Sequence, residues 1–138
     1  MGDEIMYIGN LKRQHIEICK IIEDINSLLC NIESNSSKIS LNINLLSGKL
    51  KIHFQTEDKF LYPDLFNSEV SKIKTTAKSF VNEWGYLSSV FEDYKNKFNT
   101  KSKICSNISL FEKETKKIIN ALNDRINREE KDLYTLIG

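Results

Sequence analysis

Apolar residues recur along most of this chain at alternating steps of three and four. In the first segment the seam is Ile8, Leu11, His15, Ile18, Ile22, Ile25, Leu29 and Ile32, with His15 its one polar member. That spacing is the face of a helix packed in a bundle, and it predicts a first helix over about residues 4–32. The Ser- and Asn-rich stretch from Asn31 to Lys38 reads as a turn. A second helix is expected over about residues 39–65, with the seam Ile39, Ile43, Leu46, Leu50, His53, Glu57 and Phe60, and Leu61 beside it. Pro63 should end or kink its last turn.

A short connection at 66–69 leads to a third helix over about residues 70–98. Its seam, Ile73, Ala77, Phe80, Trp84, Leu87, Phe91, Tyr94 and Phe98, is heavily aromatic. The polar stretch 99–107 reads as a loop. The fourth helix is expected over about residues 108–137, with Phe111, Thr115, Ile118, Leu122, Arg125 and Glu129 in its seam, then Asp132, Leu133 and Leu136. Four helices of similar length with short connections predict an antiparallel up-down-up-down four-helix bundle. The reading finds one domain over residues 1–138, with no internal repeat and no domain boundary.

Composition narrows the function classes. The net charge is +1 and the basic residues are scattered, which gives no electrostatic drive toward nucleic acid or an anionic membrane. No apolar run reaches membrane-spanning length, and the acidic start Met1-Gly-Asp-Glu does not read as a signal peptide. Three cysteines, Cys19, Cys30 and Cys105, at unrelated spacings read as reduced thiols in a cytoplasmic protein. No exposed apolar stripe demands a dimer, so a monomer is expected. Lysine dominates the basic residues, and the arginines are Arg13, Arg125 and Arg128. An arginine inside an apolar seam therefore stands out.

The polar exceptions in the seams can be placed by height. In an antiparallel bundle His15, near the start of the first helix, is level with His53 and Glu57 near the end of the second. Phe80 and Trp84 near the start of the third helix share that level, as do Arg125 and Glu129 near the end of the fourth. Histidine and carboxylate from several inward-facing helices are how bundles build metal sites. A seam histidine alone is more often a satisfied core residue, and Glu57 with Arg125 reads equally as a buried ion pair. Cys19 is best read as a small buried hydrophobe, and Tyr62 and Tyr134 as packing tyrosines within hydrogen-bond reach of the layer.

With these residues in place the chain resembles the hemerythrin-like (HHE cation-binding) bundles, over essentially its whole length. The motif His53-Phe-Gln-Thr-Glu57 and its continuation to Phe66 resemble that family's second helix, and Arg125 to Leu136 resemble its fourth. The resemblance implies a non-haem diiron centre bridged by two carboxylates. It is closest to a divergent bacterial branch with arginine in place of the fourth-helix histidine. In the third-helix histidine slots this chain has Phe80 and Trp84, and in the fourth-helix slot Arg125. With two histidines in the chain, a full diiron ligand set is excluded. What the resemblance leaves is His15, His53, Glu57 and Glu129 as ligands of at most one divalent ion, iron first, with manganese or zinc as alternatives. Arg125 would supply the charge of the other ion, its fork pairing with Glu57 and Glu129 at once, and Trp84 would offer it a cation–π face. Tyr62 is placed beside this set. The implied role is metal, oxygen or redox sensing and not catalysis. The alternative is a metal-free regulatory or protein-interaction bundle that keeps the layer as an ion-pair network.

Overall fold

The computed structural model describes residues 2–137, with side chains from Ile8 onward; the acidic Met1-Gly-Asp-Glu start lies outside the described side chains. The described chain is all helical: 94% helix and no strand. Helix α1 spans Gly2–Leu28, α2 Ile32–Thr56, α3 Tyr62–Phe66, α4 Ser71–Phe98, α5 Lys101–Ser106 and α6 Ile108–Arg128. Short tighter or wider turns join several of these into few long helices, consistent with a bundle. Hydrogen bonds and ion pairs tie these helices to one another. From α1 to α2, Gln14 meets His53, Glu17 meets Lys49 and Leu28 meets Asn35. From α4 to α6, Lys97 meets Glu114 and Glu83 meets Arg125. No helix among the described residues is long and apolar enough to cross a membrane.

The expected turn at Asn31–Lys38 is not a turn. The chain reverses within Leu29–Asn31, a single 3₁₀ turn, and α2 begins at once. The polar residues that suggested a loop satisfy the helix instead. The Asn31 side chain accepts from Ser34 N at 3.3 Å as the N-cap, and Asn35 Nδ2 donates to Leu28 O, a carbonyl at the end of α1. Ser36 and Ser40 donate back to carbonyls three residues behind them. The buried positions Ile32, Ser36, Ile39 and Ile43 keep helical spacing throughout. The expected loop 99–107 likewise holds a helix. Thr100 caps α5, Asn107 caps α6, and Ile104 between them is fully buried.

A second departure bears on function. At Glu57–Leu61 and again at Glu129–Leu133 the helix widens into a π turn, with Tyr62 N–H bonding Glu57 O and Tyr134 N–H bonding Glu129 O. Each turn inserts one residue into the seam. So Phe60, expected inside, is 44% exposed while Leu61 is fully buried, and Asp132 is exposed while Leu133 is buried. The two turns lie on matching segments: His53-Phe-Gln-Thr-Glu57-Asp-Lys-Phe-Leu-Tyr62 and Arg125-Ile-Asn-Arg-Glu129-Glu-Lys-Asp-Leu-Tyr134. The chain therefore does contain a short internal repeat, with histidine in one copy where the other has arginine. Its signal is the shared Glu, Lys, Leu and Tyr at identical spacing.

Apolar clusters close the polar layer from both sides. Ile18, Ile22, Leu50, Phe54, Leu122 and Ile126 belong to one; Leu11, Leu61, Tyr62, Ala77, Phe80 and Leu133 belong to the other. His15, His53, Glu57, Arg125 and Glu129, each at most 1% exposed, lie between them.

Candidate metal centre

The layer predicted by height is formed. His15 comes from α1, His53 from α2, and Glu57 and Glu129 from the first residue of each π turn. One donor atom of each lies within 4.8 Å of all the others. His15 Nε2 is 3.0 Å from His53 Nε2 and 2.8 Å from Glu129 Oε1. His53 Nε2 is 3.2 Å from Glu129 Oε1 and 3.4 Å from Glu57 Oε2. This is a buried His/Glu cluster that could hold a metal ion.

Both imidazoles are oriented from behind. His15 Nδ1 donates to Glu130 Oε2 at 2.7 Å, and His53 Nδ1 donates to Gln14 Oε1 at 2.7 Å. Gln14 is itself held by its amide N–H to Thr56 Oγ1, at 3.4 Å. A ring whose Nδ1 donates presents Nε2 inward, where a neutral imidazole carries its lone pair. Glu130 and Gln14 were not singled out by the sequence reading. Position could have found them, since each is the chain neighbour of a site residue: Gln14 of His15, and Glu130 of Glu129.

The two glutamates are not equivalent. Burial works against charge on both. For Glu129, hydrogen bonds from His15 and His53 and the Arg125 charge outweigh burial and hold its carboxyl well below the usual range. For Glu57, burial and the nearby Glu129 charge win, and its carboxyl is pushed up. Glu57 Oε2 accepts from Tyr134, while Glu57 Oε1 is, among the described residues, a buried oxygen with no hydrogen-bond partner. Such an orphan is rare in folded proteins and points to a missing cation or donor. Burial also opposes charge on His53, but its hydrogen bonds to Glu129 and Glu57 lift it to about 9. The same hydrogen bonds therefore favour the protonated imidazole at His53.

Arg125 fills the neighbouring half of the layer, though not as expected. Its Nε donates to Glu129 Oε2 at 2.7 Å, but its other nitrogens turn toward α4 and α3. Nη1 donates to Phe80 O at 2.8 Å and Glu83 Oε1 at 3.1 Å, and Nη2 to Tyr62 Oη at 3.2 Å. The predicted fork across Glu57 and Glu129 is thus corrected to Glu129 and Glu83. Glu57 is bonded instead by Tyr134, which the π turn swings inward. Glu83 also pairs with Arg128 at 2.6 Å, and hydrogen bonds from Arg128 and then Arg125 keep its carboxyl low despite partial burial. The expected cation–π contact with Trp84 is corrected too. The guanidinium lies over Phe80 and Phe54, at 4.8 and 5.7 Å, while Trp84 stacks on Phe54. Glu129 thus faces the histidines with one oxygen and the arginine with the other.

Cys19 packs against the larger apolar cluster, and burial followed by the Glu130 and Glu23 charges raises its thiol. It is not part of the donor cluster.

The residues fit a single ion. Two inward imidazole nitrogens and two carboxylates, one of them with an orphaned oxygen, form a donor set suited to Fe(II), Mn(II) or Zn(II). The other half of the layer does not fit one, because a guanidinium and two aromatic rings offer no lone pair there. Neither the curated proteins nor the solved structures include a significant match to this chain. The family model described as the hemerythrin HHE cation-binding domain matches residues 6–137, spanning nearly the whole sequence and both glutamate motifs, and the chain belongs to that family.

Proposed function

We propose that this chain is a sensing or regulatory domain, folded as an antiparallel up-down-up-down four-helix bundle, whose reduced site binds one divalent metal ion, with iron the first candidate. His15, His53, Glu57 and Glu129 are the ligands, and Arg125 stands in for the charge of the second ion. The observation that carries this reading is the aim of the two histidines. Each Nδ1 is tied outward and each Nε2 points at the other and at Glu129, with Glu57 Oε1 unpartnered alongside. A bound Fe(II) would supply reactivity toward oxygen, peroxide or nitric oxide. The protein would fix the ion, exclude bulk water with its two apolar clusters and balance its charge. The domain acts as a monomer in a bacterial cytoplasm, not as an enzyme, and without nucleic-acid or membrane partners; three unpaired cysteines suit that compartment.

Elemental analysis of protein exposed to Fe(II), Mn(II) or Zn(II) and then desalted tests this. About one ion per chain is expected, since the second half-site already holds a guanidinium. No retained metal under any of the three would end the reading. The rings' outer partners give a graded check. Gln14→Leu and Glu130→Gln should each weaken binding by about 10–100-fold, in competition against a metal-sensitive dye, while leaving the stoichiometry unchanged. Unaltered affinity in both would mean that the histidines do not ligate.

One observation favours a metal-free alternative, a regulatory or protein-interaction bundle. Apart from Glu57 Oε1, the buried side-chain oxygens and nitrogens of the layer all have partners among the described residues. In that case His53, Glu129 and Arg125 form a self-sufficient ion-pair network, and the metal analysis above returns zero.

A further inference from the structure

We infer that Tyr134 is a fifth protein ligand, binding the metal through its phenol oxygen; this rests on the single-metal reading above. Tyr134 Oη lies 2.7 Å from Glu57 Oε2, 3.1 Å from Glu129 Oε1, 3.1 Å from His15 Nε2 and 3.4 Å from His53 Nε2. The resolved distances among those four atoms run from 2.8 to 3.4 Å. The hydroxyl is thus as close to each donor as the nearer donors are to one another, within a group whose atoms all lie within 4.8 Å. It lies within reach of an ion that those four atoms would hold. Donors at right angles around an ion with bonds of about 2.1 Å sit roughly 3.0 Å apart, which is the spacing seen.

The internal repeat supplies an independent argument. Tyr62 occupies in the first copy the place that Tyr134 occupies in the second, and Tyr62 Oη accepts from the Arg125 guanidinium at 3.2 Å. One phenol oxygen therefore already faces the fixed cation of its half-site. Its twin faces the half that lacks one. The π turns make both placements: a residue five positions after the glutamate falls off the ligand face of an α-helix, and the wider turn restores it.

On binding, the Tyr134 oxygen–metal bond forms as the O–H bond breaks, and the proton now shared with Glu57 Oε2 leaves to solvent. No electron is transferred. Two carboxylates and a phenolate would carry three negative charges, one of them offset by Arg125 on Glu129, and the added phenolate would favour the more highly charged ferric ion over the ferrous one.

Ferric ion is accordingly the probe. The full chain is loaded with ferric nitrilotriacetate, freed of excess, and examined for iron content, visible absorption and resonance Raman scattering. The expected result is about one iron per chain with a tyrosinate-to-iron charge-transfer band and phenolate ring modes. Tyr134→Phe should lose the band and the modes, and Tyr62→Phe should keep them. Iron bound without phenolate modes overturns the role of Tyr134 and leaves the four-ligand site standing. No iron bound overturns the role of Tyr134, and the divalent-ion analysis above decides the four-ligand site separately. Modes that persist in Tyr134→Phe also overturn it. Should Tyr134→Phe retain no iron, the Tyr62→Phe spectrum decides: phenolate modes there support the assignment, and their loss overturns it.

Discussion

Arg125→Ala is expected to lower the stability of the metal-free protein by about 3–5 kcal/mol, enough to shift Tm down by roughly 10 °C or more. The size follows from what is left behind. Arg125 is 1% exposed and bonds Glu129 Oε2, Glu83, the Phe80 carbonyl and Tyr62. Its removal strands the Glu129 oxygen in a dry layer sealed by apolar residues on both sides. A buried charge without its partner costs far more than the pair contributes. It also takes away the guanidinium that covers the Phe80 ring and opens a cavity between α4 and α6. Thermal unfolding followed by circular dichroism checks it. A Tm within about 2 °C of the parent would show that the network adds little.

Glu57→Gln should move metal binding and stability in opposite directions. Metal affinity should fall by at least about 100-fold, more than an outer-sphere change would cause, because the amide presents no anionic oxygen. Metal-free stability should rise by about 1 kcal/mol at neutral pH, because a buried, partly orphaned carboxylate gives way to a neutral group of the same shape. The sign with pH follows from the raised Glu57 carboxyl, which burial and Glu129 cause. Such a group holds its proton longer in the folded chain than in the unfolded one. Its favourable contribution is complete below the unfolded value and is lost as pH rises through the folded one. The gain in Glu57→Gln should therefore be absent in acid and grow toward neutral pH. His53 keeps its hydrogen bond to Glu129 in the variant, and Tyr134 can still donate to the amide oxygen. A variant that loses stability along with metal would mean that Glu57 serves the fold and not the ion.

Much of this site is legible in the chain before folding. Three- and four-residue steps place His15, His53, Glu57, Arg125 and Glu129 in seams, and counting from helix ends puts them at one height. That much depends on backbone periodicity, which sequence encodes directly. Where the reading fails, side chains overrule composition. Asn31–Lys38 looks like a turn, yet its serines and asparagines bond to their own helix and to the end of the one before. Phe60 and Leu61 exchange places because one residue enters the seam, and a regular period cannot foresee a π turn. The partners of Arg125 depend on where Glu83 and Tyr134 end up, a question of three-dimensional reach. The repeat that joins Tyr62 to Tyr134 is visible in sequence as Glu-x-Lys-x-Leu-Tyr, but its meaning needs the two π turns.

The guanidinium beside the histidines has a consequence for how the domain would read concentration. Two coupled ion sites can fill cooperatively, with an occupancy that rises steeply around a threshold. Arg125 is covalently part of the chain, so its half of the layer is filled at every metal level and cannot respond. Occupancy of the remaining half then follows a simple hyperbola, climbing from a tenth to nine tenths over about two decades of free ion. A domain that senses metal through that one half-site would grade its answer to metal supply over a wide range, with no built-in switch point.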